Sequence, residues 1–143
     1  MDIRIKRFSK DVPLPEYKTH GAAAFDLSSR ERVVIECMQV GSVPLNVAIE
    51  TPVGFFLLLA SRSSTHKKGL MLANGIGIGD PDFSGDADEY RAVFFNFTSN
   101  TVVIEPGERV AQGLFVPVTH ASWIEVPSLR PDSRGGFGST GSY

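Results

Sequence analysis

Apolar residues in this chain recur with period two, in short runs that turn residues cut off before a helical face can develop. Met1, Ile3 and Ile5 alternate with Asp2, Arg4 and Lys6, and Val43, Leu45, Val47 and Ile49 alternate through Pro44. Such alternation lays every second side chain on one face of a pleated strand. Phe55 to Ala60, Ala92 to Phe97 and Val110 to Val118 are denser apolar runs, and Val33 to Ile35 and Val102 to Ile104 are shorter ones. Thr51-Pro52-Val53-Gly54 and Glu105-Pro106-Gly107 read as turns between them. Many short strands with no sustained helical period predict an all-β fold, a jelly-roll-like β-sandwich or barrel. The 143 residues are enough for one domain with its own core.

The charge pattern narrows the partners. A net charge of -2 with both signs mixed along the chain argues against a general nucleic-acid or membrane binder. Cys37 is the only cysteine, which rules out an intrachain disulfide and a cysteine metal cluster. His20, His66 and His120 show no ligand-like spacing. No apolar run approaches the ~18 residues of a membrane span. The charged N-terminal strand pattern does not resemble a signal peptide. The expectation is a cytoplasmic protein, or one of the host cytoplasm for a viral chain.

Asn74 to Asp86 is the stretch with the most chemistry. Gly75, Gly77 and Gly79 alternate with Ile76 and Ile78, a strand pattern whose small face lets something approach the backbone. Asp80, Asp82 and Asp86 then crowd into a turn, and Pro81 holds Asp80 extended. Carboxylates this close need a cation, a basic group or water between them, unless the turn is simply solvated. The glycines do not form a dinucleotide fingerprint, because Asp80-Pro81 opens no helix.

Three other places carry polar groups in telling contexts. Asp26, between Phe25 and Leu27, sits either at a strand end in solvent or buried with a partner. Ser61 to Lys68 is a polar, basic block after a buried strand, either an anion site built on Arg62 or a solvated turn. Gln112 interrupts an apolar strand and faces either a site or solvent. Trp123, Ile124 and Val126 form a last apolar patch. From Arg130 the chain has too little apolar mass to pack alone, so residues 1–129 read as the domain and 130–143 as a flexible Gly-rich arm.

Taken in order, these segments resemble the five motifs of the trimeric dUTPase family. Ala24-Phe25-Asp26-Leu27-Ser28-Ser29 resembles the first, with Ala24 where glycine is usual, and Ser61-Arg62-Ser63-Ser64 the second. Asn74 to Asp86 resembles the third, Gly107 to Gln112 the fourth, and Gly136-Phe137-Gly138-Ser139-Thr140-Gly141 the fifth. Two departures lie in the third motif: Gly79 stands for the usual Ile or Val, and Phe83 for the usual tyrosine. The basic residue of the fifth is Arg134 or Arg130.

The resemblance implies a jelly-roll homotrimer with exchanged C-terminal arms that hydrolyses dUTP to dUMP and pyrophosphate with Mg2+. Asp80 would activate the water that attacks the α-phosphorus. Arg62, Ser63 and the Ser64 amide would stabilise the phosphates. Asp26 would act on the metal through water, and Gln112 beside the phosphates. Asn74 and backbone groups near Gly77 would read the uracil, with the glycine alternation giving the ring room. Phe83 would pack on the deoxyribose. Arg134, Phe137, Gly138, Ser139 and Thr140 would close over the substrate.

Two alternatives remain. A dCTP deaminase of the same fold needs a glutamate within Ala92 to Asn96, where Val93 stands instead, and an arginine that only Lys67 represents. A non-catalytic trimer that binds a nucleotide or a protein is consistent with the Gly79 and Phe83 departures.

Overall fold

The computed structural model describes residues 1–136. In chain order its strands are β1 (Ile5–Arg7), β2 (Phe25–Ser28), β3 (Val33–Ile35), β4 (Val40–Pro44), β5 (Val47–Ile49) and β6 (Phe55–Ser61). After a single 3-10 turn, Thr65–Lys68, come β7 (Leu70–Leu72), β8 (Gly77–Gly79), β9 (Arg91–Asn96), β10 (Val102–Ile104) and β11 (Arg109–Pro117). Strands β2, β11, β6 and β8 make one antiparallel sheet in that order, and β4, β9 and β7 make another. The β1/β5 and β10/β3 pairs complete the sandwich. The architecture is the jelly-roll-like β fold expected from the strand pattern. No helix among the described residues is long and apolar enough to cross a membrane.

The core lies between the layers. Leu27, Leu57 and Ala111 reach it from the four-stranded sheet, and Val43, Ala92 and Phe94 from the three-stranded one. Ile35, Ile49 and Ile104 fill the remainder, each at most 1% exposed. Burying one such side chain contributes about 1.5–3 kcal/mol, so the alternating apolar positions fix the register of every strand.

Two runs fold differently from their periodicity. The Val43–Ile49 alternation is two strands, not one. The chain turns at Asn46, whose φ of 68° is the left-handed conformation that asparagine tolerates. The buried Asn46 side chain is satisfied by the Ser9 backbone, donating to its carbonyl (3.0 Å) and accepting from its N–H (2.7 Å). Leu45 and Val47 are both buried on either side of the turn, so burial hides the break. In the N-terminal run only Ile5 enters a strand, while Ile3 packs at the core margin.

β6 is the strand from which both polar regions are placed. It pairs with β11 along its whole length and with β8 over Leu57–Leu59 on its other edge. Its end at Ser61 delivers the basic block, and its start faces the aspartate turn.

Candidate active site

At the Ser61 end of β6, the register builds a polar row across the sheet. Asp26 on β2 opposes Gln112 on β11, and Gln112 opposes Ala60 on β6. Arg62 lies two positions beyond Ala60 and therefore returns to the same face. A register shift between Arg109 and Ala111 bulges β11 and turns the Arg109 side chain toward the same carboxylate. Asp26 is thus partly buried with partners. Its Oδ1 accepts from Arg62 Nε at 2.8 Å, and its Oδ2 from Arg109 Nη1 at 2.8 Å. Arg62 also donates to the Arg109 carbonyl, and Gln112 Nε2 to the Ser61 carbonyl at 2.8 Å. Two guanidiniums against one carboxylate leave a net positive charge.

That charge borders a cleft of about 370 Å³ lined by Arg62, Ser64, Thr65, Lys67, Lys68 and Arg109, among others. The basic block is a 3-10 turn with Lys67 and Lys68 in its last positions, and Gly69 ends it at φ 80°. Lys68 pairs with Glu108. Ser63 and Ser64 are exposed at the mouth of this turn. Hydroxyls, amides and guanidinium nitrogens gathered on one concave surface suit a phosphate chain.

The second cleft lies on the other side of β6. Asn74, Gly77, Gly79, Asp80, Phe83 and Tyr90 line about 380 Å³. Gly77 and Gly79 face inward from β8, while Ile76 and Ile78 point out at 50% and 62% exposure. The room made by the inward glycines is taken by the protein itself. A Cβ on Gly77 would lie 3.0 Å from the Leu59 Cβ, and one on Gly79 would lie 2.2 Å from the Tyr90 hydroxyl. Gly79 departs from a β-branched residue because Tyr90 occupies that volume.

Asp80 follows Gly79 into an exposed loop. The Phe83 N–H donates to the Asp80 carbonyl at 3.1 Å, which curls the loop and brings the Phe83 ring over the cleft. The loop is tied at two further points. Lys6 Nζ donates to the Asp86 carbonyl at 2.7 Å, and Arg30 makes a two-pronged contact with Glu89 at 2.8 and 3.1 Å. Among the described residues no group of three or more His, Cys, Asp or Glu side chains could hold a metal ion.

The two clefts share no lining residue. Gly79 opposes Leu57 on antiparallel β6, so Asp80 continues toward Phe56 while Arg62 lies at the opposite end. Six strand positions separate them, about 20 Å at ~3.3 Å per residue. The structure therefore brings Asn74, Gly77, Asp80 and Phe83 together, and Asp26, Arg62, Ser64 and Gln112 together, but does not join the two sets within one chain. Arg130 and Arg134 lie on the exposed run from Pro117 to Gly136. Phe137, Gly138, Ser139 and Thr140 lie outside the described residues.

The dUTPase family model matches residues 10–141. The chain belongs to the dUTPase family. The deoxyuridine 5'-triphosphate nucleotidohydrolase of Hydrogenobaculum sp. (strain Y04AAS1) is 37% identical over 145 residues, covering 99% of each chain. That of Lactococcus lactis subsp. lactis (strain IL1403) is 35% identical, covering 92% of this chain and 89% of the relative. Among solved structures, the dUTPase from Streptococcus mutans superposes with a TM-score of 0.76 at 35% identity, over 83% of this chain and 98% of that one. The Staphylococcus bacteriophage 80alpha dUTPase with dUPNHPP gives 0.85 at 26% identity, over 98% of both.

Within this dUTPase-family chain, two residues of consequence escape sequence reasoning. Arg109 lies within the fourth motif, where the resemblance assigns it no role, and only the bulge in β11 aims it at Asp26. Tyr90 precedes the apolar run of β9 and has the pattern of a loop residue. Its signal is Gly79, a missing side chain that something else has to replace.

Proposed function

We propose that the chain hydrolyses dUTP to dUMP and pyrophosphate as a homotrimer in which each site is completed by neighbouring protomers. The observation that carries this reading is the separation of the two clefts, which share no lining residue: the backbones of Asp80 and Arg62 lie six strand positions apart along β6, about 20 Å. One protomer cannot place both on one substrate, and a second protomer can.

The chemistry divides between the two halves. Asn74 and the backbone around Gly77 offer donors and acceptors to the uracil edge. The Phe83 ring packs on the deoxyribose, where a 2′-hydroxyl would meet it. Asp80 holds the attacking water and takes its proton as the bond to the α-phosphorus forms. Arg62, Ser63 and the Ser64 amide receive the charge that builds on the phosphates and the leaving pyrophosphate. Gln112, held by the Ser61 carbonyl, offers its amide oxygen at the same edge.

The donor set fits a metal that arrives with its substrate. Asp26 Oδ1 accepts only from Arg62 and keeps a lone pair for a metal-bound water, while Oδ2 accepts from Arg109 and, at 3.5 Å, from Arg62 as well; an outer-shell carboxylate of this kind matches the preference of Mg2+ for phosphate oxygens and waters. Asp26 would hold such an ion through water, and the ion would supply neutralisation of the phosphate charge. Residues 130–143 act as an arm over a neighbouring site, with Arg134 on the phosphates, Phe137 on the uracil and Gly138, Ser139 and Thr140 offering donors. We place the chain in the cytoplasm, or in the host cytoplasm for a viral chain; among the described residues no helix is long and apolar enough to cross a membrane.

Incubation with each deoxynucleoside triphosphate and Mg2+ tests the reading, with monophosphate, pyrophosphate and ammonia assayed together. Stoichiometric dUMP and pyrophosphate from dUTP is the expected result. Ammonia from dCTP would assign the deaminase instead, and binding without pyrophosphate release would assign a non-catalytic trimer.

A further inference from the structure

We propose that Tyr90 is the positioning residue that sets the preference for a deoxyribose, by wedging the Phe83 ring into the place where it closes on the sugar. This rests on Phe83 packing against the deoxyribose, as proposed for the site.

Phe83 sits on the loop between β8 and β9 and is 39% exposed. Its own backbone contact to Asp80 shapes the turn but leaves the ring free to swing. Among the described residues, the aromatic partner of that ring is Tyr90, edge to face, with centroids 5.2 Å apart and planes at 81°. Tyr90 itself has nowhere to go. It is 6% exposed. Its N–H donates to the Val47 carbonyl at 2.9 Å, and its carbonyl accepts from Leu45 N–H at 2.9 Å.

The far end of the same ring seats on Gly79. A Cβ there would stand 2.2 Å from the hydroxyl oxygen and 2.6 Å from Cε1. One rigid side chain therefore seats its tip against the backbone immediately before Asp80 and packs edge to face with the sugar-facing ring. The hydroxyl makes no hydrogen bond, and neither does the buried Thr51 hydroxyl. Tyr90 is held in place by shape, so its role is steric. A β-branched residue at 79 would stiffen β8 but would displace the wedge. Gly79 and Tyr90 are one exchange of volume between two strands.

A side chain that only filled the core would affect stability and leave the choice of sugar alone. Steady-state kinetics with dUTP and UTP, beside thermal melts, separate the two. Tyr90→Phe keeps the ring and should keep the native ratio of kcat/KM for dUTP over UTP. Tyr90→Leu combined with Gly79→Val refills the gap from the other strand. It should melt near the native temperature, yet lower that ratio by at least tenfold. Adding Phe83→Ala to this pair should cost no further discrimination, because both changes act through one ring. Tyr90→Met, which fills the gap with a flexible chain, carries the same comparison if the pair does not assemble.

A folded Gly79→Val/Tyr90→Leu protein with the native ratio, beside a Phe83→Ala protein that has lost it, would overturn the role of Tyr90. A native ratio in Phe83→Ala alone would overturn the sugar contact of Phe83 itself, and the wedge with it.

Discussion

Asp80 is the residue on which the proposed chemistry turns. It is exposed at a loop start and holds no core contact, so Asp80→Asn should fold, bind a non-hydrolysable dUTP analogue and lose about 10²–10⁴-fold in turnover. Single-turnover rates beside analogue binding check this, and near-native turnover would remove Asp80 from the role of base. Tyr90 makes a different prediction. Burial pushes its phenol above the ordinary value of 10.0, and the Asp80 and Asp88 carboxylates add to the rise. The unfolded chain then loses this proton first as pH rises. The contribution of Tyr90 to stability is complete below about pH 10 and declines as pH climbs from there toward the folded value. Melting temperatures of Tyr90→Phe and the native protein should diverge above that pH in favour of Tyr90→Phe. At neutral pH Tyr90→Phe should be at least as stable as the native protein, since a buried hydroxyl without a partner carries a desolvation penalty. Parallel melts across that range would refute the buried phenol.

At the scale of elements, the polar row across β2, β11 and β6 is set by register. Asp26→Asn weakens two ion pairs together and leaves Arg62 and Arg109 facing each other. It should raise KM for dUTP by an order of magnitude or more and cost about 1–3 kcal/mol in stability, the usual range for losing charged hydrogen bonds. Urea unfolding and initial-rate kinetics measure both, and unchanged values would mean that the row is solvated. Much of this level is legible in the sequence. The apolar runs of β6, β9 and β11 announce themselves because apolar side chains occupy the half-buried outer face as well as the buried one. The choice between a solvated and a partnered Asp26 cannot be made there, because its partners come from strands remote in sequence. The glycine alternation signals close approach, and a ligand is the expected visitor. Which neighbour approaches is a matter of tertiary packing, and here it is Leu59 and Tyr90. The Asn46 turn is hidden for the opposite reason, since hydrophobicity runs through it unbroken.

At the scale of the whole molecule, exposed apolar side chains form ordered rows. Val40 and Met71, 58% and 51% exposed, both register with Phe95 across the β4/β9/β7 sheet. Ile76, just before β8, and Ile78 on it add a second exposed pair, and Trp123 and Ile124 stand 92% and 85% exposed beyond β11. Exposed apolar rows of this kind are suited to an interface, in keeping with the proposed trimer. The arm makes a separate prediction. Deleting Arg134 to Tyr143 removes little apolar surface, so the melting temperature and sedimentation coefficient should stay near native while turnover falls strongly. Full activity after truncation would sink the lid, and dissociation to monomers would make the arm a structural tie.

The most direct test of a site shared between protomers is complementation. Asp80→Asn and Arg62→Ala proteins, each inactive alone, are mixed in equal amounts, unfolded and refolded together, and assayed for pyrophosphate release from dUTP. Random assembly of a cyclic trimer would give roughly a quarter of the sites an intact Asp80 from one chain and an intact Arg62 from the next, and that share of native activity is the expected result. Activity that stays at the level of the separate variants, in trimers shown to be mixed, would place Asp80 and Arg62 on one substrate within a single chain and contradict the account.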